Sequence, residues 1–319
     1  MSITESAIGH TLLCAVMRLC FVIPVANAMR LWVVTTAISA IRWLMSAMNK
    51  LKIGSLCTGY GGLDMAVEAY FDAETVWVSE IDKYASKLIE KRFNVPNHGD
   101  LKVINWAEVE PIDILTAGYP CQPFSHAGDR KGINDERHIW PHIKEAISYL
   151  RPKYVVLENV RGHLTLGFDS VLADLAQIGY DAKWQLVRAS DVGAPHQRAR
   201  LFVIAYPNSS RSQGKSGQGY TAAQRVAINS SIKHEPHDGQ VSKLRQRFTS
   251  RFEMHVQGVP VTLDSGRVSA KFVEYMMGLP PGWVTDIDIS WTQQLKMLGN
   301  GVVPQQAHYA IELLMESYV

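Results

Sequence analysis

A chain of 319 residues, 47% hydrophobic and 19% charged, is long enough for one large domain or for one domain with a smaller companion, and it is too apolar to be disordered. Its formal net charge of +2 neither favours nor excludes any class of partner. Cys14, Cys20, Cys57 and Cys121 show no zinc-ligand spacing and are too few for a disulfide scaffold at this length, which excludes the small disulfide-rich class and fits a reducing cytoplasm.

Residues 11–48 are apolar and carry only Arg18, Arg30 and Arg42 as charges. A membrane span needs about 20 consecutive apolar residues. The arginines leave two uncharged runs of eleven, the first interrupted by Pro24. A secretory signal fits no better, because arginines break the apolar region and no clear cleavage site follows. Residues 1–48 therefore read as an apolar extension with three origins open: a start-site artefact ahead of Met48, a helical hairpin packed on the body, or a membrane-contacting segment.

From Lys50 onward short apolar runs alternate with amphipathic stretches. LKIGSL (51–56), VWVSEI (76–81), DILTAG (113–118), YVVLENV (154–160) and LFVIAY (201–206) read as buried strands, and 63–71, 82–92, 139–150 and 168–178 have helical spacing. Such alternation predicts a parallel sheet covered on both faces, with ligands at the carboxyl ends of its strands. The alternation stops at Tyr206. PNSSRSQGKSGQG (207–219) is a polar connector, and 207–262 carries eight Lys/Arg against three acids, a net of +5. Residues 1–48 carry +2, so the remaining body carries about −5, and a basic segment on an acidic body is the footprint of a nucleic-acid contact or simply of a solvated basic surface.

The turn after the first strand, LCTGYGGLD (56–64), holds Gly59, Gly61 and Gly62 just before a helix, where glycine lets the backbone approach a ligand closely. Glu80, at the end of the second strand, is placed to accept hydrogen bonds from ribose hydroxyls. A tight strand–helix turn with a surface acid, or a dehydrogenase lacking its usual GxGxxG spacing, would look similar. Asp100 ends a plausible third strand, in reach of an adenine amino group.

In AGYPCQPFS (117–125) two prolines bracket Cys121 and stiffen the backbone around its thiol. A thiol becomes nucleophilic at neutral pH only beside positive charge or hydrogen-bond donors. Arg198 and Arg200, in APHQRARLF, are candidate sources, and ENV (158–160) puts Glu158 at the same sheet edge. A lone cysteine is otherwise a small buried hydrophobe. A protease would need a histidine from His126, His138 or His142, and the HxxxH pair at 138 and 142 lacks a third metal ligand.

From about Leu51 to the C-terminus, these residues resemble the cytosine-5 DNA methyltransferase family. GYPCQPFS is similar to its Pro-Cys nucleophile motif, ENV to its glutamate motif and RAR to its Arg-x-Arg motif, while GYGG, Glu80 and Asp100 are similar to its cofactor motifs. RVSAKFVEYMMGLPPGW (267–283) resembles the late motif that braces the recognition domain. LGNGVVP (298–304) resembles the last, whose helix packs beside the first strand. The motifs stand in the family's order. Departures are Cys57 where Phe is frequent, His196 for a common Gln, and Gly301 for the usual Ser.

The resemblance implies an α/β class I methyltransferase fold, a doubly wound, mostly parallel Rossmann-like sheet with a small target-recognition domain. Residues 49–206 plus 291–319 would form the catalytic domain and 207–290 the recognition domain. It implies a DNA (cytosine-5-)-methyltransferase of bacterial or phage type that uses S-adenosyl-L-methionine. Cys121 would attack carbon 6 of a flipped-out cytosine, Glu158 would grip the base, and Arg198 and Arg200 would support them. Residues 122–140, with Gly128 and Gly132, would close over the base. Cofactor contacts would fall on Gly59, Tyr60, Gly61, Gly62, Leu63, Glu80, Ile81, Asp100, Leu101, Pro120, Asn300 and Val302, with no metal. The implied partners are double-stranded DNA containing a specific cytosine site and a cognate restriction endonuclease, for a monomeric cytoplasmic enzyme without membrane association. An RNA cytosine-5 methyltransferase of the same fold and a catalytically silent DNA-binding relative are the alternatives.

Overall fold

The computed structural model describes residues 50–120, 139–208, 259, 261–263 and 265–316. The N-terminal extension, Cys121 with the stretch that follows it, and most of the basic segment 207–262 lie outside the described residues.

Six strands form one sheet: β1 (Leu51–Leu56), β2 (Ala73–Ser79), β3 (Ile114–Gly118), β4 (Tyr154–Val160), β5 (Tyr180–Val187) and β6 (Arg200–Pro207), in the order β2-β1-β3-β4-β6-β5. β2, β1, β3 and β4 run parallel, and β6 is antiparallel to both β4 and β5. The sheet is thus the mostly parallel one expected, closed at one edge by an antiparallel pair. Helices α1 (Gly62–Phe71), α2 (Lys83–Arg92), α3 (Trp140–Leu150), α4 (Phe168–Gln177), α5 (Ala270–Met276), α6 (Trp291–Asn300) and α7 (Pro304–Glu316) complete the described part.

Both sheet faces are buried, so successive strand residues are apolar rather than alternating with polar ones. Leu115, Val155, Leu157, Leu201 and Val203 pack with Ile143 and Ile147 of α3 and Leu172 and Leu175 of α4. Their chain neighbours Ile114, Val156, Phe202 and Ile204 point the other way, joining Ile53, Val67 of α1, and Ala310, Ile311 and Leu314 of α7. The C-terminal helix therefore returns to the face that β1 and α1 cover. A third cluster joins Tyr60 with Leu88 of α2, Leu279, Val284, Leu298 and Val303.

Two elements differ from the sequence reading. β5 was not anticipated: Tyr180–Val187 is an edge strand whose interior residues are only half-buried, so Asp181, Lys183 and Gln185 mask its strand character. The third strand expected to end at Asp100 is not formed. Asn94 and Gly99 adopt left-handed backbone angles (φ 52° and 71°), and only an isolated bridge, Val78 to Asn97, extends the sheet there. Asp100 instead caps a 3-10 turn at 101–103, accepting the Lys102 amide at 3.0 Å.

Beneath the turn that follows β1, Asp64 in the first turn of α1 is almost wholly buried. The Thr116 hydroxyl donates to its carboxylate, and the Ser55 hydroxyl bonds it as well. Burial nevertheless pushes this carboxyl up to about 6. A raised carboxyl favours folding below its unfolded value near 3.8, and that contribution is lost as pH rises through about 6. Asp64→Asn should therefore gain melting temperature relative to the parent between pH 4 and pH 7. A difference between the two that does not change with pH would show that the carboxyl is not held in its neutral form.

Candidate active site

The chain leaves β1 through three left-handed positions, Cys57 (φ 53°), Gly59 (φ 58°) and Gly61 (φ 81°), and enters α1 at Gly62. The amides of these three residues are held internally, Cys57 on the Ser79 carbonyl, Gly59 on Glu80 and Gly61 on the Thr58 carbonyl. A side-chain atom on Gly59 would meet open space, so glycine serves the left-handed angle there rather than any lack of room. Glu80 fixes the turn from β2, its Oε2 accepting the Gly59 amide and its Oε1 the Asp82 amide, both at 2.8 Å. Burial raises its carboxyl above the usual carboxylate range.

Tyr60 points inward and is fully buried, its hydroxyl donating to the Val302 carbonyl at 2.7 Å. Burial raises its phenol too. The segment after α6 passes so close that a Cβ on Gly301 would overlap the Tyr60 ring, and one on Gly62 would overlap the Val302 carbonyl oxygen. The departure from Ser at 301 thus has a steric cause in this chain, the tyrosine at 60.

Between the turn and α6 lies a cleft of about 670 Å³, part of it open to solvent. Of the expected cofactor residues, Gly59, Gly62, Leu63, Asn300 and Val302 line it. Tyr60 and Gly61 lie behind its wall, Gly61 against the Phe93 ring. Glu80 braces the wall through Gly59. Ile81 is 72% exposed, Asp100 and Pro120 are exposed, and Leu101 is buried in the core, so these four lie outside the lining. The sequence reading missed, among others, Asp82, Gln293, Lys296 and Met297, which also line it. Asp82 caps α2 by accepting the Tyr84 and Ala85 amides, and Lys296 of α6 reaches it at 3.4 Å. An N-cap aspartate two residues after Glu80 was a readable signal for the first of these.

Cys57 also lines the cleft, and burial, with Glu80 and Asp100 nearby, pushes its thiol up to about 12. It is a neutral wall residue, not a nucleophile. Cys121 itself lies outside the described residues.

Glu158 and Gly118 line the same cleft from the ends of β4 and β3, where they are register partners. Glu158 is 7% exposed, and Arg200 at the start of β6 places its Nε 3.0 Å from Glu158 Oε1. Burial raises the carboxyl to about 7 even though Arg200 and Arg198 both pull it down. The two arginines have different partners. Arg198, at the left-handed φ of 34°, donates through Nη2 to the carbonyls of Gly299 (2.7 Å) and Gly301 (2.6 Å). It ties the strand edge to the cleft wall after α6, whereas Arg200 serves the glutamate. His196, in the same turn, shares a hydrogen with the Met276 carbonyl at 2.9 Å.

Asn159, not singled out from the sequence although it sits within ENV, donates to the Tyr119 carbonyl at 3.1 Å. The Tyr119 hydroxyl meets His163 Nε2 at 3.0 Å, and His163 Nδ1 meets the Leu166 carbonyl at the same distance. The chain segment that leads to Pro120 is therefore anchored on β4 and the 3-10 turn after it. Among the described residues no cluster of metal-ligating side chains occurs, and no helix is long and apolar enough to cross a membrane.

The family described as C-5 cytosine-specific DNA methylase matches residues 51–264, two thirds of the chain and every element from β1 to β6. The chain belongs to this family. Among its members, the Type II methyltransferase M.BsuFI of Bacillus subtilis is 31% identical over 202 residues, covering 62% of this chain and 49% of that protein. The Type II methyltransferase M1.ScrFI of Lactococcus lactis subsp. cremoris is 33% identical over 180 residues, covering 55% of this chain and 46% of that protein. The chain spans about half the length of the curated relatives it matches. In fold it is similar to the crystal structure of the Dnmt2 methyltransferase of S. pombe, with a TM-score of 0.59 and 17% identity over 84% of this chain and 99% of that one. The methylase family's sheet is thus the one described above, and Glu158, Arg198 and Arg200 stand on its strand ends.

Because the Tyr60 ring occupies the space beside Gly301, Gly301→Ser should destabilise this methylase by about 1–3 kcal/mol, the usual range for overpacking. Tyr60→Leu in the same chain should recover part of the loss despite forfeiting the bond to Val302. Denaturant unfolding of the parent, both single variants and the double variant measures the coupling. A Gly301→Ser chain as stable as the parent would refute the steric account.

Proposed function

We propose that this chain methylates carbon 5 of cytosine within a specific sequence of double-stranded DNA, using S-adenosyl-L-methionine. The observation that carries the proposal is a buried carboxyl, Glu158, held near neutrality beside Arg200 and opening into the same cleft as the glycine turn. The cleft offers a left-handed glycine, Gly59, with free space above it, and Glu80 holds that glycine from behind by accepting its amide. Gly59, Glu80, Asn300 and Val302 would hold the cofactor, which supplies an electrophilic methyl group when bound.

The residues of the chain divide the remaining work. Cytosine carbon 5 is a poor nucleophile until electrons are pushed into the ring. The Cys121 thiolate would add to carbon 6, forming the carbon–sulfur bond while the ring's carbon 5–carbon 6 π electrons move toward carbon 5 and nitrogen 3. Glu158, protonated, would donate to ring nitrogen 3 and accept from the exocyclic amine, matching the charge that develops there. Arg200 holds Glu158 in place, while burial keeps the carboxyl raised to about 7 against the arginines' pull. After carbon 5 is methylated its proton leaves to a water-derived base, the double bond re-forms, and the thiolate departs. A base in a duplex is out of reach of a buried glutamate, so the cytosine is flipped out of the stack at a cost of a few kcal/mol.

The basic segment 207–262 would read the flanking bases and neutralise phosphates. The names of the relatives, Type II methyltransferases, support a restriction–modification setting with a cognate endonuclease. A monomeric, cytoplasmic enzyme is proposed with it.

Bisulfite sequencing of DNA from a methylation-free bacterial host expressing the chain tests the whole reading. Methylcytosine should accumulate at one recurring sequence, and Cys121→Ser should abolish it. Unmethylated DNA from a folded parent, or methylation that survives in Cys121→Ser, would overturn it; parallel assays on tRNA would identify an RNA substrate. The pH profile adds a second check. Glu158 is raised to about 7, so the protonated donor is lost as pH rises through that value, and turnover should fall with it. Glu158→Gln should lower turnover about 10²- to 10⁴-fold and lose that falling limb.

A further inference from the structure

The loop between α5 and α6 is held by a buried carboxylate that the mechanism does not use. Glu274 is 2% exposed, and its two oxygens accept the amides of Gly282 (2.8 Å), Val284 (2.6 Å) and Thr285 (2.9 Å) and the Thr285 hydroxyl (2.9 Å). So many donors on one carboxylate fix the backbone of 282–285, and with it the direction of Trp283. Trp283 crosses to the cofactor wall, where its indole Nε1 donates to the Tyr60 carbonyl at 2.9 Å. Its ring also meets Phe93 edge to face, with centroids 6.1 Å apart, and Phe93 is the side chain packed against Gly61. Arg92 closes the arrangement from α2: its Nε donates to the Trp283 carbonyl at 3.0 Å, its Nη2 donates to the Gly282 carbonyl, and its guanidinium lies 5.2 Å from the Trp283 ring centre.

We infer that Trp283 is a positioning residue for the cofactor turn, so that affinity for the cofactor is set partly by the loop that follows the recognition region. The turn has two left-handed glycines, Gly59 and Gly61, whose amides are held by Glu80 and by the Thr58 carbonyl. Tyr60 is anchored at both ends, its hydroxyl on Val302 and its carbonyl under the Trp283 indole. Loss of the indole N–H leaves that carbonyl short of a donor and leaves the peptide between Tyr60 and Gly61 held on one side only, by the Gly61 amide on the Thr58 carbonyl. The Gly59 and Gly62 surface facing the cleft would then be ordered only on binding, and the ordering cost appears as weaker affinity. The inference rests on the reading of the cleft as the S-adenosyl-L-methionine site.

Calorimetric titration of the full chain with S-adenosyl-L-homocysteine tests it. Trp283→Phe keeps an aromatic ring beside Phe93 and Arg92 while deleting the donor and part of the ring. It should bind about threefold to tenfold more weakly, as expected for one hydrogen bond. The KM for S-adenosyl-L-methionine should rise by a similar factor, with kcat at saturating cofactor unchanged. A merely structural role would lower the melting temperature and kcat without this split. Arg92→Gln, which releases the loop from α2 and removes the guanidinium from the ring but leaves the indole N–H in place, should weaken binding in the same direction and serves if Trp283→Phe fails to fold. Affinities within twofold of the parent in both variants would overturn the inference. A parent that binds no S-adenosyl-L-homocysteine would overturn the cofactor assignment itself, and the inference with it.

Discussion

Burying the Glu158 carboxyl at the end of β4 is unfavourable, and the rest of the site is arranged around making it tolerable. An isolated charge there would be expelled or neutralised. Arg200 approaches within a hydrogen bond of it, and Arg200 is available only because β6 runs antiparallel to β4 and begins where β4 ends. The register places Val160 opposite Arg200 and Glu158 opposite Phe202, so the arginine reaches back over one strand end to the other. The outcome is a balance: burial raises the carboxyl, the arginines lower it, and burial wins by enough to leave it near neutrality. A fully parallel sheet would have put the start of that strand at the opposite edge and left Glu158 without its partner.

Arg198 shows how the two halves of the site are joined. Two residues before Arg200, it turns away from the glutamate to the carbonyls of Gly299 and Gly301, in the segment whose next residue accepts the Tyr60 hydroxyl. The strand edge that carries Glu158 and the glycine turn after β1 are therefore linked by one side chain and one short stretch of backbone. Close packing makes this link sensitive to single atoms, as the room for a glycine but not a serine at 301 shows.

Much of this was legible in the sequence, for a physical reason. Strands buried on both faces are continuous apolar runs, and helices between them carry a 3.6-residue period, so β1 to β4, β6 and the four helices from α1 to α4 could be placed within one to three residues. β5 escaped because an edge strand is half-solvated and its composition says little. The strand imagined before Asp100 failed because Val95–Pro96 suggests extension while Asn94 and Gly99 break it. At the site, motif residues gave Glu158, Gly59 and Asn300, each fixed by its place at a strand end or turn. Asp82 and Lys296 were not legible as a pair, since they are 214 positions apart and only the packing of α6 on α2 brings them together. Sequence likewise could not separate the partners of Arg198 and Arg200, which differ only in the direction of two neighbouring side chains.

One wall of the cleft is built from residues 57–63 and the other from 293–302, with nearly the whole sheet between them in the chain. A nascent polypeptide leaving the ribosome can pair its first strands early, yet the second wall is still unsynthesised until residues 293–302 emerge. Chains cut ahead of α6 would consequently lack a complete cleft. Whatever chemistry the cleft performs is thereby confined to chains that include α6 and the segment after it.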